Sequence, residues 1–199
     1  MRKRSTSSSP AKFHFHPLTP ARWGDLEKLF GDRGACGGCW CTYWIRTHSQ
    51  FEKHKGTGNK RAFKRRVTAG EELGLIAYAD REPVGWCAFG PRERYVRLAN
   101  SRILKPVDEQ AVWSLVCFFV AKDFRRSGMS VELVRAAARH AKKRGARILE
   151  GYPVEPKEET MPAAFAWTGL VTAFRKAGFK EVLRRSETRP IMRKGLRRG

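Results

Sequence analysis

Apolar and polar residues alternate from Phe13 to Leu18, the period of two expected of a half-buried strand. The period then lengthens. Trp23, Leu26, Leu29 and Phe30 recur at helical spacing, which predicts a helix buried along that stripe. Thr19 is placed to cap it, Pro20 suits its first turn and Gly31 ends it. Asp32–Arg46 is rich in Gly, Cys and aromatic residues and reads as a loop running into a helix at Trp44. A second helix starts near Asn59, with Ala62, Phe63 and Val67 on one face. Two apolar runs, Leu73–Ala79 and Val84–Phe89, flank the polar turn Asp80–Pro83 and predict a hairpin. Pro91–Gln110 reads as a polar connection. Ala111–Val120 is almost continuously apolar, as for a strand covered on both faces. Helical spacing returns over Ser130–Arg144, burying Val134, Ala137, Ala138 and Ala141 and stopping at Gly145. Ala146–Val154 predicts a further strand and Phe165–Phe179 a further helix with its stop at Gly178. Closing strands follow around Pro190. Strands and helices alternating around a mixed sheet place the chain in the α/β (α+β) class. No internal repeat or long linker divides it, so one domain is expected over 12–199, behind a basic tail at 1–11.

Composition narrows this picture unevenly. With 41 Lys and Arg against 19 Asp and Glu, the formal charge is +22 over 199 residues. Such a balance attracts polyanions: nucleic acid, an acidic membrane surface or a phosphate-rich cofactor. The basic residues are scattered, and the sequence has no zinc-finger spacing, RNA-recognition signature or basic-zipper heptad. Charge alone names no partner, although non-specific polyanion binding is compatible with it. No apolar run approaches the roughly 20 residues that cross a bilayer. The Ser- and Arg-rich start lacks the apolar core of a secretory signal, so a cytoplasmic protein without membrane partners is expected. A monomer and a homodimer both remain open.

Five cysteines in such a compartment are expected to be reduced. Cys36, Cys39 and Cys41 lie close together, with His48 or His54 as a candidate fourth zinc ligand. A structural site would need a second ligand pair that the sequence lacks, so no metal is expected. Cys36 and Cys39 also lack a thioredoxin-like setting for redox chemistry. Cys87 and Cys117 fall within strands and read as small core residues.

The densest chemical signal joins the Ala111–Val120 strand to the helix that follows. Arg125, Arg126, Ser127, Gly128, Met129 and Ser130 fill that turn. A helix start exposes unpaired N–H groups and partial positive charge. Gly128 allows close backbone approach, Ser130 adds a hydroxyl, and the arginines add charge. That combination suits a phosphate and especially a pyrophosphate. An ordinary turn between strand and helix uses the same residues. The P-loop pattern is absent, and so are the spaced glycines of a dinucleotide fingerprint.

What remains is R-x-x-G-x-S between an apolar strand and an amphipathic helix. This resembles the pyrophosphate-binding signature of the GNAT acetyltransferase superfamily. Arg125 and Gly128 match it, and Ser130 is a small-residue variant of its last position. "ARILEGYPV" resembles that family's fifth strand and "AFRKAGF" the end of its last helix. From Gly31 onward, "GACGGCWC", "EPVGWCA", "AVWSLVCFFV" and "EGYP" resemble one GNAT subgroup in order and spacing. The resemblance implies a mixed sheet whose fourth and fifth strands splay apart, with acetyl-CoA as co-substrate and no metal. It implies that Phe118 and Val120 offer main-chain contacts to the pantetheine arm and that the amides from Arg126 to Ser130 hold the pyrophosphate. The implied activity is N-acetyl transfer from acetyl-CoA by direct attack of a primary amine on a small molecule or peptide.

The acid–base groups depart from that pattern. Phe174 stands where many members carry a tyrosine acid, and Trp167 where an asparagine is common. Glu150 and Tyr152 lie two apart on a strand and therefore share a face. They are candidates for base and acid, or for a structural hydrogen-bonding pair. By the same resemblance, Trp40, Tyr43 and Trp44 would wall the acceptor pocket and suit a cationic or aromatic amine; aromatic packing beneath a loop is the alternative. Two other functions stay open. Phe174 is compatible with a fold that binds coenzyme A without transfer, and the charge with a basic nucleic-acid-binding module.

Overall fold

β1 (Phe13–Pro17) forms one edge of a seven-stranded sheet, pairing antiparallel with β2 (Gly74–Ala79). The computed structural model describes residues 13–158, 162 and 165–196; the expected basic tail lies outside them. β2 and β3 (Glu82–Pro91) make the predicted hairpin. β3 pairs antiparallel with β4 (Trp113–Val120), and β4 pairs parallel with β5 (Ile148–Gly151). β7 (Pro190–Gly195) lies beside β5, and β6 (Lys180–Arg184) closes the far edge, so the order is β1-β2-β3-β4-β5-β7-β6.

Helices cover both faces, as the apolar β4 requires. On one face α5 (Met129–Lys143) buries Leu133, Val134, Ala137 and Ala141 against Leu75, Cys87, Leu115 and Leu149. α6 (Val171–Lys176) joins the same core through Phe174. On the other face lie α1 (Trp23–Phe30), α2 (His48–Lys53), α3 (Thr57–Thr68) and α4 (Val96–Ala99). Their core gathers Trp23, Trp40, Trp44, Phe63, Trp86 and Val116.

Several expectations shift. No helix begins at Trp44; turns continue to Thr47, which caps α2 in a reciprocal capping box with Gln50. Thr19 makes no side-chain cap, and the chain enters α1 through a short 3-10 turn at Pro20–Arg22. The polar connection after Pro91 contains α4 and turns Arg92 inward, with 11% of its side chain exposed. The fifth strand ends at Gly151, two residues before Pro153, which has no N–H to give a ladder. The last helix starts only after Gly169, whose φ of +87° is not helical. Within the described residues no helix is long and apolar enough to cross a membrane.

Candidate functional site

β4 is eight residues long but pairs with β5 only at Trp113–Leu149, Ser114–Glu150 and Leu115–Gly151. Beyond Leu115 the two strands part. The β3–β4 register shifts between Ala88 and Phe89, leaving Val116 without an opposite residue, and such a bulge bends a strand away from its neighbour. The gap that opens runs from Val116 to Val120 and ends at the tip of α5.

At that tip the chain leaves its amides unused. Among the described residues none of the N–H groups from Arg126 to Ser130 meets an acceptor. Gly128 is the N-cap residue with φ +84°, and a Cβ built there would meet nothing within 4 Å. Its freedom is therefore needed for conformation, and the space beside it is open. Arg126 also adopts a positive φ, of 63°. Ser127 Oγ donates to the Phe124 carbonyl at 2.6 Å, and Met129 is buried beneath the tip. Ser130 is half-buried, while Arg125 and Arg126 are exposed.

The main-chain groups inside the gap already have partners. The Phe118 N–H donates to the Trp167 carbonyl at 2.7 Å, and Arg125 Nε donates to the Val120 carbonyl at 3.2 Å. The Trp167 oxygen thus occupies the position that the carbonyl of a strand-like ligand would take, and the Arg125 guanidinium that of an amide donor. Both contacts show that these groups face the gap, and both must yield before a ligand pairs there.

Tyr43 and Trp44 stand at its mouth. Trp44 Nε1 donates to the carbonyl of the bulged Val116 at 2.9 Å, and the rings of Tyr43 and Trp44 lie 5.0 and 5.5 Å from that of Trp167. Trp40 does not join them. It is 3% exposed, stacked on Trp23 at 6.1 Å and capped by Lys60 at 4.7 Å. Trp40 and Cys41 both have positive φ (42° and 56°); Trp44, 8% exposed, shares the core with Trp40 but its indole N–H reaches β4. The cysteines do not converge as a ligand set among the described residues. Cys41 Sγ accepts the Trp86 indole N–H at 3.2 Å, and Cys36 is exposed. A hydrogen bond with Cys41, then burial, pushes the Cys117 thiol well up. No group of three or more His, Cys, Asp or Glu among the described residues is placed to hold a metal.

Where β4 and β5 still touch, a polar network fills the fork. Tyr152 Oη donates to Glu150 Oε1 at 2.5 Å and lies 2.7 Å from Ser114 Oγ. Arg92 bonds both Tyr152 and, at 2.9 Å, Glu150; Arg193 Nε reaches Glu150 Oε2 at 2.7 Å and its Nη1 reaches Asp108 at 2.7 Å. Glu150 and Tyr152 do share a face, but they are 1% and 0% exposed. Each Glu150 oxygen is engaged by a guanidinium, so a solvent-facing base at this position is not what the chain builds. Burial first, then the charge of Glu150, hold the Tyr152 phenol well above its usual range, so it keeps its proton. Arg92, Arg193 and Ser114 were not anticipated. The available signal was Glu150 itself, since a carboxylate inside an apolar strand calls for cationic partners. Phe174 lies in the other core, 5.9 Å from Phe118, in a slot where a Cβ on Gly151 would come within 2.1 Å of its ring.

The comparisons agree with this geometry. The model of the Acetyltransferase (GNAT) family matches residues 40–159. Against curated proteins the sequence finds no match. Among solved structures, a GNAT acetyltransferase from Listeria monocytogenes is similar at a TM-score of 0.57 and 12% identity, over 92% of this chain and 95% of that one. The PaiA N-acetyltransferase from Thermoplasma acidophilum, in complex with coenzyme A, gives 0.51 and 14%, over 92% and 99%. An aminoglycoside acetyltransferase in complex with coenzyme A gives 0.51 and 15%, over 92% and 95%. At these identities the likeness establishes the fold.

Proposed function

The chain belongs to the GNAT acetyltransferase family, and we propose that it transfers an acetyl group from acetyl-CoA to a primary amine. The observation that carries this reading is the run of unpaired amides from Arg126 to Ser130 beside the β4–β5 gap. A pyrophosphate bound there would be met by the N–H groups, the dipole of α5 and the charges of Arg125 and Arg126. Phe118 and Val120 would take the pantetheine arm in place of Trp167 and Arg125. The coenzyme supplies an activated acyl group as its thioester.

The protein would bring the amine to that acyl carbon in a fixed approach. The C–N bond forms, the C–S bond breaks, the amine proton leaves to water and the thiolate takes up a proton. A further backbone N–H of β4 along the gap would be the donor for the developing negative oxygen. Within this reading Tyr152 is the proton donor and Glu150 orients its hydroxyl. The guanidiniums on Glu150 leave it poorly suited to take the amine proton itself. Tyr43 and Trp44 would border the acceptor; Trp40 would support their loop from the core.

The test combines binding and turnover. Acetyl-CoA should raise the thermal unfolding midpoint, and free thiol should appear when amines, amino acids, polyamines and peptides are screened as acceptors. Thermal protection without thiol release from any acceptor would leave a coenzyme-A-binding fold that lacks transfer. The absence of protection would remove the coenzyme assignment altogether.

A further inference from the structure

Among the described residues no carboxylate neutralises the positive charge of Arg97 and Arg189 at the mouth of the gap. Arg97 stacks on Tyr43, with its Cζ 3.9 Å from the ring centre, and lies 5.3 Å from the ring of Phe51. Its Nε is fixed by the Arg46 carbonyl at 3.2 Å. Its Nη2 is buried and meets no acceptor among the described residues. A guanidinium donor left without a partner in a buried position is costly.

A second guanidinium is bound to Thr168, the chain neighbour of Trp167. Arg189, in the β6–β7 turn, is half-buried and held by Thr168 Oγ1 at 2.7 Å and the Tyr152 carbonyl at 3.5 Å. Among the described residues it has no carboxylate partner. Burial pulls its pKa down. Glu187, two residues away, is engaged by Lys157, and Glu155, whose N–H donates to the Thr188 carbonyl, by Arg184. Past Arg97 lies a groove of about 450 Å³ between α2 and α3, lined by Arg46, Arg65, Arg66 and Glu71, where burial first, then the charge of Arg65, pulls the Arg46 pKa down.

We propose that the acceptor is an amine that also carries an oxyanion, a carboxylate or a phosphate, which pairs with Arg97 and Arg189 while the aromatic wall of Tyr43 and Trp167 packs on its body. The inference rests on acetyl transfer at this gap and names the substrate class for it. An oxyanion accepts the unused Nη2 donor and relieves the unbalanced guanidiniums. A polyamine or other polycation meets two cations at the entrance and is repelled. The ring face of Tyr43, which would attract a cationic amine, is already covered by Arg97.

The test uses the full chain with saturating acetyl-CoA and acceptor pairs that differ by one anion. Amino acids are compared with their carboxamides, and phosphoethanolamine with ethanolamine; spermidine serves as the polycation. The anionic member should have a kcat/KM at least about tenfold higher, the equivalent of one well-placed charge-assisted contact. Arg97→Gln and Arg189→Gln should raise its KM and narrow the ratio toward one. The pair with the larger ratio identifies carboxylate or phosphate. Equal use of both members, or a preference for spermidine, overturns the anion site and leaves acetyl transfer standing. If no amine is acetylated, N-acetylglycine and N-acetylglycinamide are titrated into the coenzyme-A-loaded protein and followed by tryptophan fluorescence. Binding of the carboxylate alone, lost in both variants, retains the anion site and removes the transferase. Binding of both alike, or of neither, removes the anion site.

Discussion

The tip of α5 and the fork between β4 and β5 are polar regions at opposite ends of one gap, and they treat their hydrogen-bonding groups in opposite ways. At the tip, the successive amides from Arg126 to Ser130 find no acceptor among the described residues, and the space beside Gly128 is open. At the fork, Glu150 and Tyr152 are wholly buried and every polar atom is engaged. Unused donors in an exposed cup cost little, because water covers them until a ligand does. A buried carboxylate without partners costs several kcal/mol, so its partners are part of the fold. The contrast separates a region with donors to spare, as the proposed pyrophosphate site requires, from one whose polar groups are already spent between the strands before they part.

The largest effect should come from breaking the fork. Arg92→Leu removes a guanidinium from Glu150 and Tyr152 and leaves the carboxylate short of a partner. A loss of about 3–5 kcal/mol in unfolding free energy is expected, as for other broken buried ion pairs. Denaturant unfolding measures it. A loss below about 1 kcal/mol would place this pair among exposed salt bridges and blur the contrast.

Breaking the tip should leave the fold largely intact. Gly128→Glu must adopt a positive φ, at a cost of about 1–2 kcal/mol, but its side chain enters open space. Its carboxylate would then face the proposed pyrophosphate. We expect acetyl-CoA affinity to fall about 100-fold or more, equivalent to some 2.7 kcal/mol. Retained thermal protection by acetyl-CoA would move the cofactor away from this helix.

The two regions differ in how readable they are for a related reason. The tip is local: an apolar strand, Arg125, Gly128, Ser130 and a helix follow one another within a short stretch, so pattern alone exposes it. The fork is assembled from afar. Arg92 and Arg193 lie 58 and 43 residues from Glu150, and nothing adjacent to them marks either as its partner. Glu150 on an apolar strand signals that a partner exists and leaves its identity open. The acceptor wall falls between these cases. Trp40, Tyr43 and Trp44 look like one group because they are close in sequence. Successive left-handed residues at Trp40 and Cys41 divide them, and a two-residue reversal by non-glycine residues has no reliable sequence sign.

A smaller effect tests whether the fork also does chemistry. Tyr152→Phe removes a hydroxyl shared by Ser114, Glu150 and Arg92, which should cost about 1–3 kcal/mol of stability. If Tyr152 donates the proton, kcat should also fall by about 10²–10⁴ while the KM for acetyl-CoA changes little. A stability loss with unchanged kcat would make Tyr152 purely structural and sharpen the division between fork and tip.

The smallest effect concerns the outer member of the network. Arg193 joins buried Glu150 to exposed Asp108, and its hydrogen bond is the main reason the Asp108 carboxyl is held down to about 2 from an ordinary 3.8; the Gln110 amides add to it. Because the folded-state value is the lower one, the unfolded chain binds the proton first. Asp108 therefore contributes its full stabilisation above the unfolded value, loses it progressively as pH falls from 3.8 toward about 2, and contributes none below. Asp108→Asn should narrow its difference from the parent across that window and leave it constant above. Unfolding midpoints measured at several pH values in low salt, where exposed pairs are least screened, should show a shallower acid limb for the variant. If both proteins lose stability along the same slope, Asp108 is unlinked from the fork, and Arg193 is held by Glu150 alone.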